Sequence, residues 1–259
     1  MNALHTLLAI GSGSVVGFTL GLVGGGGSIM AVPLLVYVVG VASPHLAIGT
    51  SAVAVAVSAA ANLIGHARAH TVKWNCAIVF ALAGIAGAAG GAYLGKLVDG
   101  ERLLTLFGAL MIAIGLLMLW PRKSGADPDV ALTRDSLHLL PYLVGMGFLV
   151  GALSGFFGIG GGFLIVPGLI AATGMPLINA IGSSLFAVSA FGLTTAASYA
   201  TSGLVDWQLA GLFILGGALG GIAGISLARR LSSHKHALTR IFSGVVIVVG
   251  IYVVVRGLL

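Results

Sequence analysis

Residues 1–67 contain no Asp, Glu, Lys or Arg, and neither do residues 136–205. A soluble domain carries roughly 25% charged residues; this chain carries 7%, against 58% hydrophobic. An uncharged apolar run of about 20 residues is long enough to span a bilayer, and each of these two stretches holds several. Lipid offers no water to satisfy an open backbone, so such spans must be helices. The expected fold is an all-α polytopic membrane protein.

A second feature narrows this further. The run Gly24-Gly25-Gly26-Gly27 is followed by Pro33, and the pattern returns as Gly158-Ile159-Gly160-Gly161-Gly162 with Pro167. Glycine clusters weaken a helix and bare N–H and C=O groups, which must then face protein or a water-filled site rather than lipid. Paired breaks at matching places in two halves point to a transporter's substrate site. Most of the 42 glycines have a plainer use, letting helices approach closely.

The two halves align directly. Gly21, Gly24, Gly26, Gly27, Val32, Pro33, Leu35 and Gly40 match Gly155, Gly158, Gly160, Gly161, Val166, Pro167, Leu169 and Gly174. Ala47-Ile48-Gly49-Thr50-Ser51 matches Ala180-Ile181-Gly182-Ser183-Ser184, and Trp74, Phe80, Gly84 and Gly87 match Trp207, Phe213, Gly217 and Gly220. This gives a first transmembrane repeat over 1–120, a polar linker over 121–137 and a second repeat over 138–259. Helices are expected near 3–23, 28–39, 46–65, 74–95 and 103–120, then near 139–157, 163–173, 179–200, 207–228 and 239–257. The second of each set is too short to cross a hydrocarbon core of about 30 Å. That leaves about eight to ten membrane helices, with short Gly/Pro-broken helices meeting near the midplane.

Charge decides orientation. If the repeats are inverted, nine of the twelve basic residues collect on one side: Arg68, Lys73, Arg122, Lys123, Arg134, Arg229, Arg230, Lys235 and Arg240. Lys96, Arg102 and Arg256 stay opposite. Parallel repeats would split them six to six. The positive-inside rule prefers the first arrangement, which requires an odd number of crossings per half. The alternative is four crossings per half, with the break inside one long bent helix.

An enzyme is not expected. Asp99, Glu101, Asp127, Asp129, Asp135 and Asp206 all fall in loops or at span ends, so no pair can act as acid and base within a span. His66 and His70 are spaced i, i+4 but end a span beside Arg68, and read as an interfacial pair rather than a metal site. The lone Cys76 can form no internal disulfide or thiol pair. The glycine run lacks the Gly-Lys-Ser/Thr of a phosphate loop. The net charge of +6 reflects loop residues that set topology, not nucleic-acid binding. No cofactor and no metal are expected. Met1 to His5 lacks the basic start of a cleaved signal, so the first span is expected to be retained.

An anion carrier fits better. No Lys or Arg lies mid-span, so a small anion would be held by backbone N–H groups, helix N-termini and hydroxyls. Candidate donors are Gly25, Gly26, Gly27 and Ser28 before one short helix, and Gly160, Gly161 and Gly162 before its mate. Thr50 and Ser51, with Ser183 and Ser184, would open the next segment of each half. These hydroxyls serve equally well as ordinary caps or back-bonds to the preceding turn. Asn62 and Asn179 could line the path or bridge helices. Proton relays use intramembrane Asp, Glu or His. None is mid-span, which leaves the anion's own gradient, a proton carried on the substrate, or His66.

The paired Gly-x-Gly-Gly-Gly and proline, with Gly49-Thr50-Ser51 and Gly182-Ser183-Ser184, closely resembles the TauE/SafE family of sulfite exporters and sulfonate permeases. The resemblance covers nearly the whole chain. It implies transport of sulfur-containing anions such as sulfite or organosulfonates, by seven or eight helices. Expected partners are a small anionic substrate and the lipid bilayer of the bacterial inner membrane, with a homodimer compatible. The alternative readings are an anion-selective channel and a carrier of another small organic anion.

Overall fold

The structure is a computed structural model that describes residues 3–119, 139–158, 162–230 and 235–258. Every regular element among them is helical. The first half holds α1 (Ala3–Val23), α2 (residues 24–38), α3 (Pro44–Arg68), α4 (Trp74–Leu97) and α5 (Gly100–Leu119). The second holds α6 (Leu140–Phe157), α7 (Gly162–Thr173), α8 (Leu177–Ala200), α9 (Trp207–Arg230) and α10 (Lys235–Leu258). Seven of these (α1, α3, α4, α5, α6, α8 and α9) are long and apolar enough to cross a membrane, and three shorter apolar stretches lie in α2, α7 and α10. The protein is an integral membrane protein. The expected linker over 121–137 lies outside the described residues.

All ten expected segments are present, with changed ends. α3 begins at Pro44 rather than 46, because Ser43 accepts from the Leu46 N–H at 3.4 Å and Pro44 fits the first turn. α5 begins at Gly100, where Asp99 accepts from the N–H groups of Glu101 and Arg102 at 3.1 and 3.2 Å. α2 differs in kind. It starts at Gly24, inside the glycine run, as a tight 3-10 stretch Gly24–Met30. One α turn, Ala31–Pro33, follows, and then a wide π turn, Leu34–Val38. Proline brings no N–H and its ring crowds the carbonyl four residues back, and the pitch widens directly after Pro33.

Glycines set the helix contacts. Along α1 and α9, Gly13 abuts Phe213 and Gly17 abuts Gly217, while Gly220 and Gly224 abut Ser14 and Phe18. The matching pair is α6 and α4, where Gly147 abuts Phe80, Gly151 abuts Gly84 and Gly155 abuts Ala88. Both pairs run parallel, and each joins the first long helix of one half to the fourth element of the other. Backbones this close leave no room for a side chain.

The remaining contacts fix every direction. Gly217 and Gly221 lie beside Ser58 and Asn62, so α9 runs parallel to α3. Trp74 packs on Phe186 and Phe80 on Phe191, ring centroids 5.8 and 6.1 Å apart, so α4 runs parallel to α8. α3 and α8 cross antiparallel, with Gly49 beside Tyr199 and Gly192 beside Ala56 and Ala52. α5 and α10 are antiparallel too, with Gly115 against Ile247 and Gly257 against Thr105. α1 and α3 therefore point the same way, and α2 must bring the chain back between them. α7 does the same between α6 and α8. The chain turns back at the glycine run, where Gly27 packs on Thr19 and Leu20, rather than continuing as one bent helix.

Candidate functional site

The hydroxyls form two reciprocal pairs. Thr50 Oγ1 accepts the backbone N–H of Asp206 at 3.0 Å, and Ser183 Oγ accepts that of Lys73 at 2.9 Å. Thr50 aligns with Ser183 and Lys73 with Asp206, so this is one contact made twice. Each joins the early part of a central helix to the loop after the other central helix. The glycines before them repeat the relation: Gly49 abuts the Leu204 carbonyl and Gly182 abuts Thr71. Ser51 donates to the Ile48 carbonyl at 2.9 Å and Ser184 to the Ile181 carbonyl at 2.8 Å. Asn179 donates to the Thr71 carbonyl at 3.1 Å.

This geometry corrects two expectations. First, Thr50, Ser51, Ser183 and Ser184 do not open their helices; α3 begins at Pro44 and α8 at Leu177. Their N–H groups lie within a helix and are not free donors at an N-terminus. Second, the candidates do not gather around one point. Ser183 sits at Lys73, beyond the end of α3, while Thr50 lies near its start. The 18 residues from Thr50 to Arg68 rise about 27 Å at 1.5 Å each, too far for one small anion to touch both. Asn179 belongs with Ser183, through Thr71.

The glycines divide in the same way. A side chain at Gly158, which caps α6 at φ +66°, would run into Ile48 near the start of α3. The second break therefore lies at the Thr50 end. The stretch Gly24–Met30 packs against α7 and α8. Gly25 and Gly26 lie within that 3-10 stretch rather than before a helix, Gly27 is packed on α1, and Ser28 is fully buried. Gly162 is buried at the first position of α7. Gly160 and Gly161 lie outside the described residues.

Among known proteins, the family described as "Sulfite exporter TauE/SafE" matches residues 9–253. The chain belongs to the TauE/SafE family. It is therefore a membrane transporter protein of that family, and its relatives are named accordingly. A "Probable membrane transporter protein" of Xylella fastidiosa (strain Temecula1 / ATCC 700964) is 56% identical over 257 residues, covering 99% of this chain and 98% of its own. The "Probable membrane transporter protein YunE" of Bacillus subtilis (strain 168) is 27% identical over 264 residues, covering 95% and 96%. No solved structure matches.

In this TauE/SafE chain the remaining candidate, Asn62, stands apart. It lines a cavity of about 260 Å³ between α3 and α9 with Val57, Ser58, Ala61, Gly217 and Gly221. His66 Nδ1 lies 3.0 Å from Thr71 Oγ1. His70 falls past the end of α3 at φ 53°, so the two histidines share no helix face.

Three residues outside the expected site set also come together: Lys96, Tyr199 and His45. Lys96 Nζ donates to the Ser198 carbonyl at 2.9 Å and to Ser202 Oγ at 3.0 Å, 5.8 Å from the Tyr199 ring centroid. A signal was available: in the repeat alignment Lys96 pairs with Arg229, Tyr199 with His66 and Thr195 with Asn62. Polar residues recur at equivalent places near the ends of α3 and α8.

Proposed function

We propose that this protein is a secondary carrier of small sulfur-containing anions, sulfite or organosulfonates, across the bacterial inner membrane. The observation that carries this reading is the match to the sulfite exporter TauE/SafE family over residues 9–253, on a chain whose buried polar residues, among those described, are serines, threonines and Asn62. Neutral donors can hold an anion through charge-assisted hydrogen bonds without a fixed counter-ion. No catalytic role is assigned to any residue.

The two halves are read as inverted repeats. The antiparallel crossings of α3 with α8 and of α5 with α10 support this, as does the reciprocity of the Thr50–Asp206 and Ser183–Lys73 contacts. The nine-charge end is then cytoplasmic by the positive-inside rule. Two half-sites near opposite ends of the central pair suit alternating access, each exposed in turn as one half rocks against the other.

The test is transport of labelled sulfite by the purified protein in liposomes, beside a thermal-shift series of sulfite, sulfate, an aliphatic sulfonate and acetate. Saturable sulfite flux with stabilisation by sulfur anions is expected. Stabilisation by acetate alone would reassign the substrate class, and unitary currents in a planar bilayer would make the protein a channel.

A further inference from the structure

Five buried polar side-chain atoms among the described residues have no hydrogen-bond partner: Ser12 Oγ, His45 Nδ1, Ser154 Oγ, Thr195 Oγ1 and Tyr199 OH. Native interiors leave few such groups, and each calls for an explanation. Four of the five lie at adjacent levels of the bundle. Gly84 on α4 abuts both Phe191 of α8 and Gly147 of α6, and one turn on Ala88 meets Gly155. Thr195 is the next turn of α8 after Phe191, and Ser154 precedes Gly155, so both sit at that level. Tyr199 follows one turn later, beside Gly49. His45 begins α3 there, its ring 6.3 Å from that of Tyr199.

Lys96 stands at the end of this series. Its ammonium donates to two neutral oxygens of α8, Ser198 O and Ser202 Oγ. An ammonium has three donors, so one N–H is left over. The nearby carboxylates are used elsewhere, Asp99 on the first turn of α5 and Asp206 on the N–H of Leu209 in α9. His45 Nε2 donates to the Val98 carbonyl at 3.1 Å, which leaves Nδ1 as its unpartnered end. The Tyr199 ring is completely buried, yet its hydroxyl is unused. A hydroxyl in that position costs stability with no return unless something accepts from it.

We propose that Lys96 and Tyr199 form an anion-binding vestibule at the Thr50 end of the central helix pair, taking a small oxyanion of the sulfite type. The spare Lys96 N–H and the Tyr199 hydroxyl are its donors, at the level of the break at Gly158, and Thr195 and Ser154 lie one turn further in. This rests on the transport reading above. With the inverted arrangement it faces away from the cytoplasm, at the end that carries Lys96, Arg102 and Arg256. The equivalent positions in the other half are Arg229, His66 and, for His45, Ile178, so the two ends differ in chemistry and the vestibule belongs to one face.

A plainer role for Lys96 is to neutralise the C-terminal end of α8, where a cation is favourable. The experiment separates the two. Sulfite flux and sulfite-dependent thermal shifts are measured for wild type, Lys96→Gln, Lys96→Arg and Tyr199→Phe. The vestibule predicts that Lys96→Gln raises the half-saturating sulfite concentration about tenfold, the cost of losing a charged hydrogen bond, and that Lys96→Arg recovers most of it. It also predicts that Tyr199→Phe weakens sulfite binding. If Tyr199→Phe only raises the melting temperature and both Lys96 variants keep wild-type half-saturation, the vestibule is wrong. If Lys96→Gln does not fold, Tyr199→Phe still decides: unchanged sulfite half-saturation in that variant overturns the vestibule. Wild type stabilised by acetate instead of sulfur anions, with the shift lost in Lys96→Gln, would keep the vestibule and remove the sulfite reading. Equal sulfite shifts in wild type and Lys96→Gln would do the reverse.

Discussion

Thr50 accepts the backbone N–H of Asp206 at 3.0 Å, across 156 residues of chain. Its counterpart, Ser183 on Lys73 N–H at 2.9 Å, sits at the other end of the same helix pair. Both hydroxyls are fully buried, so removing either leaves a partly buried backbone N–H without its partner. Thr50→Val and Ser183→Ala should each cost about 1–3 kcal/mol. Because the sites are far apart with no shared partner, the double variant should equal the sum of the singles within about 0.5 kcal/mol. Unfolding in detergent measures this. A large interaction energy between the two would contradict the separation of the half-sites.

The backbone carries the same pairing. His70 adopts φ 53° where its counterpart Gly203 adopts φ 69°. A left-handed residue with a Cβ is strained, and the His70 side chain is exposed, so it has little packing to lose. Gly203→Ala should destabilise by about 1 kcal/mol, while His70→Gly should cost nothing measurable. A clear loss of thermal stability in His70→Gly would show that the imidazole itself is needed.

The helices were legible because uncharged apolar runs admit almost no other structure in lipid, and the repeat was legible because Gly24, Gly26 and Pro33 return in order at Gly158, Gly160 and Pro167. The grouping of site residues was not. Thr50 looks like a helix start after Gly49, and only Ser43 and Pro44 reveal that the helix began earlier. That Thr50 answers to Asp206 rather than to Ser183 depends on the crossing direction of α3 and α8, which no local pattern encodes. Lys96 reads as a loop charge until α8 brings Ser198 and Ser202 to it.

Glycine substitutions should divide sharply by neighbour. A Cβ at Gly87 would meet the Phe148 carbonyl, and one at Gly220 the Ser14 carbonyl, both main-chain atoms that cannot move aside. Gly87→Ala and Gly220→Ala should each cost about 1–3 kcal/mol or more, as overpacking does. Gly90 and Gly211 have nothing within 4 Å of the added atom, and alanine there should stabilise by up to about 1 kcal/mol from helix propensity. Melting temperature and detergent-soluble yield of the four variants test this. Equal tolerance of all four would refute the close α1–α9 and α4–α6 contacts.

On the proposed reading as a sulfite carrier, flux should follow the membrane potential. Among the described residues the carboxylates Asp99, Glu101 and Asp206 stand at helix ends, and two of them are committed to the first turns of α5 and α9. No described Asp or Glu lies within a span to relay a proton, the usual means of proton coupling. An anion that crosses without a co-transported proton carries its charge through the field. The potential supplies about 2.3 kcal/mol per charge per 100 mV, which corresponds to about a fiftyfold gradient at 1.36 kcal/mol per decade. In liposomes clamped by a potassium gradient and valinomycin, an inside-negative potential should drive efflux and slow uptake of a singly charged sulfur anion, with little effect of an imposed pH gradient. Flux that ignores the potential and depends on the pH gradient would mean that a proton travels with the substrate, and His66→Gln would then test whether that histidine carries it.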